Sequence, residues 1–125
     1  MRNLFFILIF SLSLSVSSEE TISRWMADYF KRIHDHIGNE NYEKAQNELE
    51  MGDKNYFRGG RTYEAALLYQ LYGQFYAVQS QYTNAIPWFE KALATGKMPR
   101  IGQQEVRFQL AQTYFMIGNY ENVIP

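Results

Sequence analysis

The stretch that decides the fold spans residues 69–92 and reads YQLYGQFYAVQSQYTNAIPWFEKA. Tyr69, Tyr72 and Tyr76 recur three and four residues apart, a spacing that places side chains on one face of an α-helix. A short polar turn at 79–81 separates them from a second segment with the same periodicity. The stretch therefore predicts two α-helices joined as an antiparallel hairpin.

Small and large residues in this hairpin have separate roles. Gly73 leaves space for the second helix to approach the first, and Ala85 and Ala92 are expected to face it. Phe89 lies about one turn from each alanine, on the same helix face. We therefore expect Phe89 to fill the gap between this helix pair and its neighbour.

The pattern recurs along the chain. Tyr42, Tyr82 and Tyr120 are 40 and 38 residues apart, and Ile86-Pro87 recurs as Ile124-Pro125. A period of this length is typical of helical-repeat proteins. The sequence predicts repeat units at about 21–56, 61–96 and 102–125. Because the last unit ends within its second helix, we expect a fragment of a longer array that self-associates.

The first eighteen residues have the pattern of a secretory signal peptide. Arg2 gives a positive start, residues 4–14 are nearly all apolar, and Ser15, Ser17 and Ser18 supply small residues at a cleavage site. The apolar run is shorter than the roughly 20 residues of a bilayer-spanning helix. We expect residues 1–18 to be removed and residues 19–125 to be periplasmic without a stable membrane span; a retained anchor is the alternative.

Composition excludes several classes of function. The 125 residues include 12 Lys and Arg against 13 Asp and Glu, so no basic excess favours nucleic acid. The sequence has no cysteine, which leaves no disulfide and no cysteine nucleophile. The cluster His34, Asp35 and His36 places its histidines two residues apart, whereas helical zinc motifs place them four apart. We expect no catalytic residue, no cofactor and no metal.

Function is then expected at the surface. The first helix of each pair lines the concave side of a helical stack, where a peptide or a partner helix can bind. Amide and aromatic side chains off the packing face can hydrogen-bond a peptide backbone and pack on its side chains. The predicted groove is lined by Phe30, His34, Gln70, Gln74, Phe108, Gln112 and Phe115.

Residues 69–92 resemble the tetratricopeptide repeat, in which a large, large, small, large series precedes a small, large, small series. The third unit is similar and the first is more divergent. The resemblance implies an all-α solenoid of antiparallel helix pairs, about 2.5 repeats after the signal peptide. The family's usual repeat is shorter, at about 34 residues, so the extra residues are assigned to the connections around 51–61 and 95–103.

A subgroup resemblance rests on short motifs at Tyr63-Glu64-Ala65, Leu71-Tyr72-Gly73, Tyr82 with Ala85-Ile86-Pro87-Trp88-Phe89, and Leu110-Ala111-Gln112 with Tyr114-Phe115. Together they resemble periplasmic tetratricopeptide proteins associated with TonB transport systems. The resemblance implies a non-catalytic scaffold with TonB-system components as protein partners. Two alternatives stay open: a scaffold for another envelope assembly, or the docking arm of a longer protein with a catalytic domain.

Overall fold

The computed structural model describes residues 22–55 and 62–118, and all regular structure within these ranges is α-helical. The helices are α1 (Arg24–Gly38), α2 (Tyr42–Asn55), α3 (Tyr63–Ala77), α4 (Tyr82–Ala94) and α5 (Arg100–Met116). The all-α prediction is confirmed for this part of the chain. The predicted signal peptide and the second helix of the third unit lie outside the described residues.

Two helices that open a repeat unit begin in the same way. Ser23 precedes α1 and its hydroxyl accepts a hydrogen bond from the backbone N–H of Met26 at 3.1 Å. Thr62 precedes α3 and accepts the equivalent bond from Ala65 at 3.1 Å. Each side chain satisfies a backbone donor that the helix itself leaves unpaired, so each residue fixes a helix start.

The turns that end these helices repeat at the period found in the sequence. Glu40, Ser80 and Gly118 all have positive φ, at 60°, 62° and 81°, and they are 40 and 38 residues apart. The backbone N–H of each donates to the carbonyl three residues earlier, at 2.9 to 3.0 Å. The predicted left-handed end at Gly118 is confirmed. The repeat is thus present in the backbone conformation as well as in the residue pattern.

Helix α3 is the centre of the packing. All of its residues are buried except Glu64 and Tyr76. It packs most extensively against α4, and it also contacts α1 and α2, while α5 packs against α4. The core of the described region therefore surrounds the second repeat unit, which is the one whose sequence pattern is most complete.

The predicted close approach at Gly73 is confirmed. A Cβ atom added to Gly73 would lie 2.5 Å from two ring carbons of Phe89, which is itself fully buried. A second close approach was not predicted from the sequence: a Cβ on Gly52 would lie 1.9 Å from the Tyr29 hydroxyl oxygen. Gly52 precedes the small residue Ala92 by 40 positions, so the repeat period could have identified it.

Pro87 was expected near the first turn of its helix, and it lies in the second turn as the sixth residue of α4. Proline has no backbone N–H, so one helical hydrogen bond is absent at this position, as predicted. None of the helices in residues 22–55 and 62–118 is both long enough and apolar enough to cross a membrane.

Candidate functional site

The predicted groove residues occupy repeat-equivalent positions on three helices. Phe30, Gln70 and Phe108 are related by shifts of 40 and 38 residues, and so are His34, Gln74 and Gln112. These residues lie on α1, α3 and α5, the first helices of their respective units. Phe115 lies on α5, one turn beyond Gln112.

Burial divides the set in two. Phe30, Gln70 and Gln74 are buried, with at most 1% of their surface exposed. The prediction that these three lie off the packing face is wrong, because the helix positions that carry them are covered in the fold. His34 and Gln112 are half-buried. Phe108 and Phe115 are exposed, at 56% each.

Gln70 belongs to a buried polar belt where α3 meets α5. Its Nε2 donates to Oε1 of Gln109 at 3.0 Å, and both side chains are buried. Thr113, one turn further along α5, is also buried and donates from Oγ1 to the backbone oxygen of Gln109 at 2.7 Å. The belt links the second and third repeat units through side-chain amides rather than through apolar contact alone.

Gln74 lies one turn beyond Gln70 on α3, and its amide is buried without a partner. In the described part of the chain, neither Nε2 nor Oε1 of Gln74 makes a hydrogen bond. A buried amide in this condition costs about 1–3 kcal/mol relative to a paired one. Buried polar groups in proteins are rarely left this way, so an unpaired amide marks a position that deserves a functional test.

Glu105 places a carboxyl group beside the same belt. Burial raises the pKa of Glu105 above its ordinary value, and a hydrogen bond with Gln70 partly offsets that rise. Gln70 thus interacts with both Glu105 and Gln109, which lie one turn apart on α5. The sequence did not single out Glu105 or Gln109; their spacing to Gln112 along one helix was the available signal.

A second feature is an open cleft of about 540 Å³ between α2 and α3. Tyr72 lines it from α3, and the remaining lining residues come from the last turns of α2: Asn47, Glu50, Met51, Asp53, Lys54 and Asn55. Burial raises the pKa of Tyr72 strongly, and the nearby Asp53 and Glu50 carboxylates add to that rise. Tyr72 is therefore a neutral hydrogen-bonding group across the physiological pH range.

The ring of Tyr72 is held by an aromatic stack. It lies 3.8 Å from the Trp88 ring, centroid to centroid, with an interplanar angle of 8°. The ammonium of Lys91 lies 5.0 Å from the Trp88 centroid and 4.6 Å from that of Tyr69. These contacts join α3 to α4, and they account for three of the large residues as packing groups.

The histidine cluster on α1 is held apart by its own helix geometry. Asp35 pairs with Lys31, one turn back, at 2.9 Å, and this hydrogen bond lowers the pKa of Asp35. Among the residues that the structure describes, no group of three or more His, Asp or Glu side chains could hold a metal ion.

Comparison with known proteins found no matching family model, no matching curated protein and no matching solved structure. The contacts described above are therefore the basis for a functional proposal.

Proposed function

We propose that this protein is a non-catalytic scaffold of the tetratricopeptide type that binds a protein or peptide partner in the periplasm. The observation that carries the proposal is the repeated helix hairpin. Glu40, Ser80 and Gly118 end successive first helices with the same left-handed turn at the sequence period. Stacked hairpins of this kind form binding surfaces from the first helix of each unit.

The partner surface is centred on His34, Gln74 and Gln112, which occupy one repeat position on three helices. His34 and Gln112 are half-buried, so part of each side chain reaches the surface. The buried, unpaired amide of Gln74 lies between them in the repeat order. An extended peptide offers both the donors and the acceptors that these side chains can use.

For the partner, we propose the periplasmic region of a TonB-system component. Two sequence features support this choice: the export signal predicted at residues 1–18, and the resemblance carried by residues such as Ala85-Ile86-Pro87-Trp88-Phe89. A scaffold with near-neutral net charge does not need a strongly charged partner.

The test is a binding titration of the full chain with the periplasmic regions of TonB and ExbD, followed by calorimetry. We expect saturable binding that the double substitution His34→Ala with Gln112→Ala weakens at least about tenfold, equivalent to about 1.4 kcal/mol. Met51→Ala, on the exposed side of α2, is the matched control and should bind normally. Absence of binding to both proteins would overturn the TonB assignment. Binding that is unchanged in the double variant would overturn the proposed partner surface.

A further inference from the structure

The strongest unassigned feature is an apolar stripe on α5. Ile101, Phe108 and Phe115 are seven residues apart and are 67%, 56% and 56% exposed. Gln104 and Ala111 lie between them at alternating spacings of three and four. We call these five residues the α5 seam. Three-and-four spacing over two heptads is the pattern with which two helices pack side by side in a coiled coil.

The internal repeat shows that such a face is covered elsewhere in this protein. Shifting Ile101, Phe108 and Phe115 back by 38 residues gives Tyr63, Gln70 and Ala77 of α3. All three of these residues are buried, and Gln70 is covered by Gln109 of α5. The equivalent position on α5 carries a larger apolar side chain and is exposed, so the seam has the chemistry of a helix contact.

The opposite end of the stack rules out one occupant. The α5 residues that face α3 include Val106, Gln109 and Thr113, and the repeat shifts of 38 and 40 relate them to Asp28, Lys31 and Asp35 of α1. These three α1 residues are exposed, and Lys31 pairs with Asp35. Stacking α1 of one molecule on α5 of another would bury those charges in an apolar contact, which is unfavourable.

We propose that the α5 seam is a homodimer interface, in which α5 of one molecule packs in parallel and in register against α5 of a second copy. A two-fold contact of a surface with itself closes the dimer and leaves the charged α1 face in solvent. In this register each seam residue meets its own copy, with Phe108 at the centre.

Charge complementarity selects the parallel orientation. Arg100 and Glu105 flank the seam on opposite sides and are five residues apart, and both are accessible to solvent at least in part. In a parallel pair, residues with this spacing lie opposite each other on the two helices, so Arg100 meets Glu105 of the second copy twice. An antiparallel pair would instead bring Arg100 and Arg107 near the same side chains of the second copy.

The main test uses the absence of cysteine from the sequence. Gln104→Cys, in the full chain, places a thiol that meets its own copy in the parallel register, within reach of a disulfide. We expect oxidation to give a covalent dimer. Gln46→Cys, at an exposed position on α2, is the matched control and should stay monomeric under the same oxidant. Equal cross-linking of both variants, or none in Gln104→Cys, would overturn the proposal.

Sedimentation of variants separates pairing from simple stickiness. Phe108→Glu should raise the dimer dissociation constant by more than about tenfold, whereas Met51→Glu, another exposed apolar residue, should leave it unchanged. Arg100→Glu should also weaken the dimer, and adding Glu105→Arg should restore it. Circular dichroism confirms that each variant is folded. A chain that is monomeric at every concentration, or a double variant without recovery, would contradict the parallel interface.

Discussion

The contact between Gly73 and Phe89 gives the sharpest test of how the helix hairpin is packed. Gly73→Ala would place a methyl group 2.5 Å from two ring carbons of Phe89 and 2.8 Å from a third. Favourable carbon–carbon contacts lie at about 3.5–4.0 Å, so the ring would have to move by about 1 Å. Phe89 is fully buried, and its neighbours limit such a movement.

The magnitude follows from two opposing effects. Replacing glycine by alanine within a helix stabilises the protein by up to about 1 kcal/mol, because glycine loses more backbone entropy on folding. Overpacking a buried site costs about 1–3 kcal/mol. We therefore expect the free energy of unfolding of Gly73→Ala to be unchanged or to fall by up to about 2 kcal/mol.

Gly38→Ala is the matched control, since a Cβ on Gly38 at the end of α1 meets no atom within 4 Å. This variant should gain stability or stay unchanged. Urea unfolding followed by circular dichroism would place the two variants about 1–3 kcal/mol apart. If Gly73→Ala is as stable as Gly38→Ala, the proposed role of Gly73 in letting α4 approach α3 is refuted.

Three further predictions concern the caps, the buried amides and alkaline pH. Thr62→Ala removes the hydroxyl that caps α3 and should lower the free energy of unfolding by about 1 kcal/mol in urea melts, whereas Thr83→Ala, exposed on α4, should have little effect. Gln74→Leu removes an unpaired buried amide and should raise stability by about 1 kcal/mol; Gln70→Leu breaks the bond to Gln109 and should lower it, and the opposite ranking would contradict the hydrogen-bond assignment. The folded-state pKa of Tyr72 is raised above its ordinary value of 10.0, so its contribution to stability is present below that pH and is lost as pH rises through the folded pKa. Tyr72→Phe should therefore flatten the alkaline loss of stability measured by urea melts at increasing pH, and an unchanged pH profile would show that Tyr72 ionisation does not drive that loss.

Much of the fold could be predicted from the sequence because the relevant signals are local. Spacings of three and four residues depend on helix geometry alone, and the turns at Glu40, Ser80 and Gly118 follow the tyrosine period that precedes any knowledge of packing. The small residue Gly73 and the large residue Phe89 were paired correctly because they lie in one hairpin. Gly52 was missed because its partner Tyr29 lies on a different helix of a more divergent unit.

The candidate site could be predicted only in part, because equivalent positions do not have equivalent neighbours. Phe30, Gln70 and Phe108 share one repeat position, and the sequence period alone places them alike. The tertiary structure buries the first two and leaves Phe108 exposed. The reason is the number of helices packed around each one.

What the sequence by itself determined is the helical class, the period of the repeat and the small-to-large contact within a hairpin, all of which depend on residues close together in the chain. What only the tertiary structure decided is which polar side chains are covered. Gln70 is buried because α5 lies against α3 and supplies Gln109 as its partner. On α5, in the part of the chain described here, the equivalent face has no such helix, so the residues of the α5 seam stay at the surface.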